Sequence, residues 1–431
     1  MCKQKLLGLL FLLIAGQLLA QKTRQRKLQK TLKQITAFNQ AQVGVQLIAL
    51  ETQKPLANWQ ANRYFTPASN TKLLTALAAA QTFDTLPLLF YQKDSLQTLH
   101  FQATGYPLFK HPFHSDRQLD SFLQEQEELC YHISDESPLN RLGPGWSWDD
   151  AAYYFSAVPS VFPVHGNVIQ MYPDPVAQSI TVTPLLGSLT SNTSQTAAVT
   201  RDFDRNVFSV NPYKFEPTDT LYTPFVPSEA RSVQLMEKLL QKAIKTDTIP
   251  LSNPQVLKAV KEEERLYKAV LQNSDNLISE NLLLMVGHER LGYFSSAATL
   301  ALMKQEWEAA PDPWVWVDGS GLSRYNLVTP RNLIWVLQQL YSEWGPDKII
   351  RFFPQAGVSG TIKRSYSSSQ LPRIFAKTGT LRNNHNLSGF IVDKKDNWYA
   401  FSIMVNQHTT STEAVRQGIR KLLEVLTYRL K

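Results

Sequence analysis

The texture of this chain changes twice, near residues 84 and 250, and that alternation limits the fold more than any other feature. Val43–Leu50 is an apolar strand, Glu51–Lys54 a turn and Pro55–Gln60 a second strand, which together predict a hairpin. Pro67 then precedes a helix of small residues from about Ser69 to Ala80. Between residues 85 and 250 the runs are short and alternating, as in Ser179–Pro184 and Leu186–Leu189, with frequent Pro, Ser and Asp. That is the pattern of a mainly β region with long loops. Helices are predicted again at Val256–Gln272, Ser279–Arg290, Ser295–Ala309 and Pro330–Tyr341. Strands follow at Arg373–Thr380, Leu387–Val392 and Trp398–Asn406, then a helix at Ser411–Leu430. Mixed segments of this kind predict an α+β fold. A length of 431 residues exceeds what one core usually supports, and 43% hydrophobic residues exclude a disordered chain.

The formal charge of +8 has a single source. Lys3, Lys5, Lys22, Arg24, Arg26, Lys27, Lys30 and Lys33 precede every acidic residue, and residues 34–431 balance to zero. A nucleic-acid-binding domain carries its excess on the folded body, so nucleic acid is not an expected partner. Met1–Lys5 is a short basic segment, Leu6–Ala15 an apolar run, and Leu18-Leu19-Ala20 a cleavage site with an oversized first residue. Residues 1–20 therefore read as a secretory signal peptide, with an uncleaved anchor as the alternative. The run falls short of the about 20 residues that a transmembrane helix needs. Lys22–Asn39 is predicted to be a helix with Leu28, Leu32, Ile35 and Phe38 on one face. Its basic residues, 22–33, form either a solvated face or a peripheral contact with an anionic membrane surface. With Cys2 in the signal, Cys130 is the single cysteine left, so no disulfide and no cysteine-based metal site is expected.

Three short motifs carry chemistry. In Ser69-Asn70-Thr71-Lys72 the first and last side chains lie on one face of a helix start. A serine hydroxyl needs a base to become a nucleophile, and a lysine held out of water can serve. The plain alternative is a capping Ser with a surface Lys, yet Leu73, Leu74, Ala76 and Leu77 make an odd setting for a surface charge. Ser274-Asp275-Asn276 precedes the helix predicted from Ser279; the same residues are also ordinary turn and cap formers. Lys377-Thr378-Gly379-Thr380 lies late in a strand, where the glycine marks either a close backbone approach, as to a ligand, or a plain strand end.

In this order and setting, the three resemble the Ser-x-x-Lys, Ser-x-Asn and Lys-Thr-Gly set of penicillin-binding proteins and serine β-lactamases. Lys72 and Ser274 are 202 positions apart, which resembles the class C low-molecular-mass penicillin-binding proteins. These are the D-alanyl-D-alanine carboxypeptidase/endopeptidase family typified by penicillin-binding protein 4, which inserts extra domains here. The resemblance spans nearly all of the chain beyond the signal. It is most specific at Pro67–Lys72, Asp318-Gly319-Ser320-Gly321-Leu322-Ser323-Arg324 and Ala376–Leu381, and within the insert at Gly145–Asp150, Tyr154 and Asn167. It implies a transpeptidase-like antiparallel sheet flanked by helices, formed by residues 21–84 and 251–431. Residues 85–250 would be the insertion, of one or two mainly β subdomains. Two positions depart from the family pattern: Gly105-Tyr106-Pro107 stands where Gly-Asp-Pro is usual, and Arg382 where Gly or Gln is common.

The resemblance also implies roles. Ser69 attacks the D-alanyl-D-alanine carbonyl, Lys72 accepts its proton, Ser274 relays that proton to the leaving amine, and Asn276 orients Lys72 and holds the substrate amide. Lys377, Thr378, Gly379 and Thr380 bind the substrate, the lysine supplying charge for its terminal carboxylate. The backbone N–H groups of Ser69 and Thr380 form the oxyanion hole, where each donor is worth roughly 3–4 kcal/mol. Arg324 is a further substrate contact or a structural ion pair, and Asp135 loosely matches an insert residue aimed at the stem peptide's amino group. Peptidoglycan stem peptides are the implied substrates, β-lactams the inhibitors, the periplasm the location, and no cofactor or metal is required. A β-lactamase and a non-catalytic wall-binding scaffold are the alternatives; the long insert argues against the first and the intact motifs against the second. The chain has no Gly-x-Ser-x-Gly, His-Glu-x-x-His or phosphate-loop motif. His385 is expected at the surface or behind the site, and Trp146 and Trp148 in core packing rather than against a sugar.

Overall fold

The computed structural model describes residues 25–134, 142–174, 179–260, 262–369 and 371–428. Two compact units result, and the chain passes between them more than once. The first is drawn from the described parts of Met1–Leu73, Trp307–Trp316 and Asn326–Lys431; the second comprises those of Leu74–Glu306 and Val317–Tyr325. Residues 1–20, expected to be a signal, and Asp135 lie outside the described residues.

The first unit is built on a five-stranded antiparallel sheet, in the order Arg373–Leu381, Asn384–Val392, Trp398–Asn406, Gln42–Ala49, Pro55–Trp59. The two central strands pair from Gln42 with Asn406 to Ala49 with Tyr399. Every residue of Tyr399–Asn406 is buried, because helices cover both faces of the sheet. On one face Val43, Val45, Leu47, Ile374, Leu387, Phe401 and Ile403 pack in one cluster with Leu28, Leu32, Ile35 and Phe38, and with Val415, Ile419 and Leu422 of the helix Thr412–Thr427. The helix predicted to Asn39 ends at residue 34, and Thr36–Phe38 is a 3-10 turn; Leu28, Leu32, Ile35 and Phe38 are nonetheless all buried, while Arg26, Lys27, Lys30 and Lys33 are exposed. The helix Pro330–Phe352 lies against the sheet, contacting the strands Gln42–Ala49, Asn384–Val392 and Trp398–Asn406. It is capped by Thr329, which accepts from the Asn332 N–H at 3.1 Å. It runs past its predicted end at Tyr341, broken at Gly345 (φ 64°) before Pro346.

The second unit holds a mixed five-stranded sheet, in the order Ile244–Asp247, Leu129–His132, Leu99–Gln102, Pro87–Lys93, Gln255–Lys258, and two three-stranded sheets. The helix predicted at Val256–Gln272 is replaced at its start by a strand. Gln255–Lys258 pairs with Pro87–Lys93, Val256 opposite Phe90, and the helix starts only at Glu262. An edge position explains the misreading: Val256 is 38% exposed, so the segment lacks the alternating burial that identifies a strand. The helix Asn276–Leu291 is buried over its first twelve residues, from Asn276 to Gly287. Among the described residues, no helix is long and apolar enough to cross a membrane.

The first unit's cluster ties residues 28–38 to the helix Thr412–Thr427, for a Cβ on Gly418 would stand 2.8 Å from Phe38 Cε1. Phe38→Ala is expected to cost about 3–5 kcal/mol in urea unfolding. A loss below about 1 kcal/mol would remove this segment from the core.

Candidate active site

The expected site residues divide between the units: Ser69, Lys72 and Lys377–Thr380 belong to the first, and Ser274, Asn276 and Arg324 to the second.

In the first unit, a 3-10 turn at Ala68–Thr71 leads directly into the helix Lys72–Thr82. Ala68 takes a left-handed conformation (φ 50°), costly for a residue with a Cβ and therefore held by its surroundings. Asn386 Nδ2 donates to the carbonyls of Thr66 and Pro67, each at 2.9 Å, and Asn406 Oδ1 accepts from the Thr66 N–H at 2.6 Å. Asn70 donates to Ser388 Oγ at 2.9 Å, which itself donates to Ser402 Oγ at 2.9 Å. Buried amides from two strands thus fix the turn that presents Ser69. One helical turn on, the Lys72 Nζ donates to Ser69 Oγ at 3.2 Å; Lys72 is wholly buried and Ser69 partly exposed. The two side chains expected to act together are thus within hydrogen-bond reach of each other.

The strand Arg373–Leu381 passes against the same turn. A Cβ on Gly379 would stand 2.2 Å from the Pro67 carbonyl oxygen and 2.9 Å from the Asn70 nitrogen. The close approach expected of this glycine is therefore made by the protein's own backbone, not by a ligand. Lys377 is fully buried, with Nζ donating to the Thr378 carbonyl at 2.9 Å. Burial first, and the charge of Lys72 second, hold its pKa well below that of an ordinary lysine. Thr378 donates to Thr361 Oγ1 at 2.8 Å, and Thr380 reaches His385 Nδ1 at 2.8 Å. His385 is not at the surface: it is completely buried, and its Nε2 lies 2.8 Å from the Tyr366 hydroxyl. Burial, with smaller contributions from Arg416 and His408, lowers it to about 3, so it is a neutral ring that orients the exposed Thr380. The five-residue offset between the two was a signal, since cross-strand register sets Thr380 opposite His385.

In the second unit, Ser274 occupies the left-handed region (φ 63°) at the end of a π turn, Ala269–Asn273. The helix begins at Asn276, earlier than predicted, so the motif spans its cap. Asp275 is the N-cap, accepting from Ile278 N–H at 2.9 Å and from the Tyr154 hydroxyl. Buried His111 stands 3.8 Å from the same carboxylate. Asn276 is buried and donates to the Phe155 carbonyl at 2.7 Å. Asn167 donates to the Val158 carbonyl at 2.8 Å and to Ser160 Oγ at 2.9 Å, and Asn281 donates to the Ser160 carbonyl at 2.7 Å. Tyr106, at the departure from Gly-Asp-Pro, is buried, and Gly105 keeps a left-handed φ of 85°.

Two acids shape the loop Asp318–Gly321. Asp318 accepts from Gly321 N–H at 2.8 Å, Ser323 N–H at 2.6 Å and Trp146 Nε1 at 2.9 Å. Glu280, buried in the helix, accepts from Gly319 N–H at 3.0 Å and Ser320 N–H at 2.7 Å. Glu280 was overlooked in the sequence, although a lone acid one turn after Asn276, before a Leu-Leu-Leu run, was a signal. Trp146 is thus a hydrogen-bonded anchor, while Trp148 is 76% exposed and packs in no core. Arg324 is exposed, its backbone N–H donating to the Gly145 carbonyl at 3.2 Å. Its charge opposes the rise in Asp150 pKa caused by burial and by Asp149.

The sequence model of one family covers residues 24–86 and 133–428. The chain belongs to the D-Ala-D-Ala carboxypeptidase 3 (S13) family. It is 29% identical over 183 residues to "Penicillin-sensitive carboxypeptidase A" of Dictyostelium discoideum, covering 38% of this chain and 34% of the relative. It is 30% identical over 155 residues to "D-alanyl-D-alanine carboxypeptidase DacB" of Haemophilus influenzae, covering 34% and 32%. The chain thus aligns with about a third of the length of these curated relatives. The fold is similar to that of penicillin binding protein 4 from Haemophilus influenzae: TM-score 0.70 at 20% identity, over 94% of this chain and 99% of that one. The S13 match omits residues 87–132, which hold three strands of the second unit's mixed sheet.

Two predictions follow from this geometry. Gly379→Ala has no room for its methyl group and is expected to lower stability by about 1–3 kcal/mol in urea unfolding. An unchanged midpoint would contradict the close approach. For Glu280, burial and then the Asp318 charge raise the carboxyl from 4.5 to about 7. Between those values the folded chain holds a proton that the unfolded chain has released. This contribution to stability is complete below pH 4.5 and lost as pH rises through about 7. Glu280→Gln is expected to flatten the decline in stability across that window, measured by urea midpoints at several pH values. A variant with the wild-type slope would show that another group titrates there.

Proposed function

We propose that this S13-family chain is a serine-type D-alanyl-D-alanine carboxypeptidase that also cleaves peptide cross-links as a DD-endopeptidase. The observation that carries the reading is the Ser69–Lys72 pair, 3.2 Å apart with the lysine wholly buried. An exposed lysine would be an ordinary surface cation; one without water is suited to accept the serine proton. In this mechanism Lys72 takes the Ser69 proton as Oγ bonds to the carbonyl carbon of the D-alanyl-D-alanine bond. Backbone N–H groups of Ser69 and Thr380 hold the oxyanion. The C–N bond breaks as the proton passes through Ser274 to the departing D-alanine amine, with Asn276 orienting Lys72. Water then adds to the acyl-enzyme and Ser69 recovers its proton.

Lys377 serves as the receptor of the substrate's terminal carboxylate, with Thr378 and Thr380 as its hydrogen-bonding neighbours. Burial and the Lys72 charge disfavour its charged form, and an arriving carboxylate would favour it. Peptidoglycan stem peptides are the proposed substrates and β-lactams the proposed acylating inhibitors, and the wall side of the inner membrane is the proposed location. Arg324 and Asp135 are proposed as outer contacts to the stem peptide.

Fluorescent penicillin is expected to label the wild type covalently and to spare Ser69→Ala. Lys72→Ala is expected to slow acylation by at least about a hundredfold, the scale of a lost general base. Failure to label the wild type would overturn the reading. Rapid turnover of a chromogenic cephalosporin would favour a β-lactamase. Release of D-alanine from a pentapeptide, set against cleavage of cross-linked dimers, separates the two peptidase activities.

A further inference from the structure

Cys130, alone among cysteines beyond the signal, does not stand alone in space. Strand Leu99–Gln102 runs parallel to strand Leu129–His132, with His100 directly opposite Cys130. Alternation sends Leu99, Phe101, Leu129 and Tyr131 into the core, each at most 1% exposed. His100, Cys130 and His132 share the other face. Their ligand atoms all lie within 4.8 Å of one another. The nearest pair, His100 Nδ1 and His132 Nε2, is 2.9 Å apart.

The outer nitrogens are engaged in the manner of metal-bound imidazoles. His132 Nδ1 is 2.5 Å from the Ile249 carbonyl, which requires a proton on Nδ1 and leaves the Nε2 lone pair facing the cluster. His100 Nε2 lies 3.3 Å from Asp94 Oδ2, which likewise favours a lone pair on Nδ1. Asp94 is itself fixed, its Oδ1 accepting from the Leu96 and Thr98 N–H groups at 2.9 Å each. His100 Nδ1 and His132 Nε2 face each other across a gap that holds either one shared proton or one cation. Two imidazoles and one sulfur select a borderline-soft metal. In a tetrahedral zinc site the two nitrogens would stand about 3.3 Å apart, so the rings need open by only a few tenths of an ångström. Cys130 and His132 are buried at 6% and 5% exposure, and the His100 side chain is 22% exposed, which leaves an entry path. The nearby cation, Lys245, is turned onto Glu128 at 2.7 Å, and Asp247 adds a further negative charge beside the rings.

We propose that His100, Cys130 and His132 bind one zinc ion, with water in the fourth position, and so clip together two strands of the second unit's mixed sheet. On binding, the Cys130 thiol loses its proton to solvent and the sulfur bonds to the metal. Burial, followed by the Asp247 charge, keeps this thiol protonated while the metal is absent. All three ligands fall within residues 87–132, the stretch that the S13 match omits. Cysteine counting alone argued against such a site; the histidines supply the other donors.

The test uses the full chain, stripped with a chelator and titrated with zinc chloride against a chromophoric competitor. One equivalent is expected to bind, and cobalt(II) in its place is expected to give a thiolate-to-metal charge-transfer band. Cys130→Ser is expected to abolish the band and weaken zinc at least tenfold. His100→Gln, at a partly exposed position, is expected to weaken zinc by a similar factor without unfolding the chain, as judged by circular dichroism. The melting temperature should rise with zinc in the wild type and not in Cys130→Ser. Absence of saturable one-to-one uptake, or affinities of both variants within twofold of the wild type, would overturn the site. None of these readouts depends on peptidase activity.

Discussion

In the first unit, everything chemical depends on two backbones meeting where a side chain cannot stand. The Gly379 Cα approaches the Pro67 carbonyl so closely that even a methyl group would lie 2.2 Å from the oxygen. The turn Ala68–Thr71 and the strand Arg373–Leu381 are therefore one rigid assembly. Its stiffness comes from polar groups that are buried and bonded: Asn386 and Asn406 grip Thr66 and Pro67, and Asn70 grips Ser388. Buried hydrogen bonds of this kind are stronger than exposed ones and favour one geometry. They also sustain the left-handed Ala68, a conformation that a free chain would leave. Pre-organised donors accelerate a reaction because they need not reorient as charge develops, so this rigidity is the physical basis of the proposed oxyanion site.

The second unit solves a related problem with acids. The loop Asp318–Gly321 is short, glycine-rich and largely without regular pairing, and its N–H groups need acceptors. Asp318 accepts from Gly321, Ser323 and Trp146, and Glu280 accepts from Gly319 and Ser320. Burial first, and the Asp318 charge second, raise the Glu280 carboxyl above its ordinary value. Ser274 and Asn276 are carried by the same helix start that holds Glu280, so the acid links the Ser-x-Asn motif to the glycine-rich loop.

The chain made some of this legible and hid the rest for identifiable reasons. Strand Trp398–Asn406 was read to the residue, because a strand buried on both faces is a continuous apolar run bounded by turns. Lys72 betrayed its burial through its leucine and alanine neighbours. Gln255–Lys258 was misread because an edge strand takes its identity from its partner, Pro87–Lys93, and not from its own pattern. His385 is hidden in the sequence because its part is not that of a base. Its neutral ring does something else: it holds Thr380 from behind while Tyr366 holds the ring. Trp148, expected in core packing, projects into solvent from a stretch whose anchor is the polar edge of Trp146.

Strand register explains both what was missed and how chemistry arises in this molecule. Thr380 and His385 are cross-strand partners in an antiparallel pair, as His100 and Cys130 are in a parallel one. Neither pairing is visible as a local motif, since the spacing in sequence is set by the connection and not by the chemistry. A Ser-x-x-Lys pair differs because the helix itself supplies the distance, one turn, so the motif is both local and geometric. Residues that act within one helical turn can be found by scanning a chain. Residues that act across a sheet become neighbours only once the register is known, which is why a single cysteine looked inert until the strands beside it were in place.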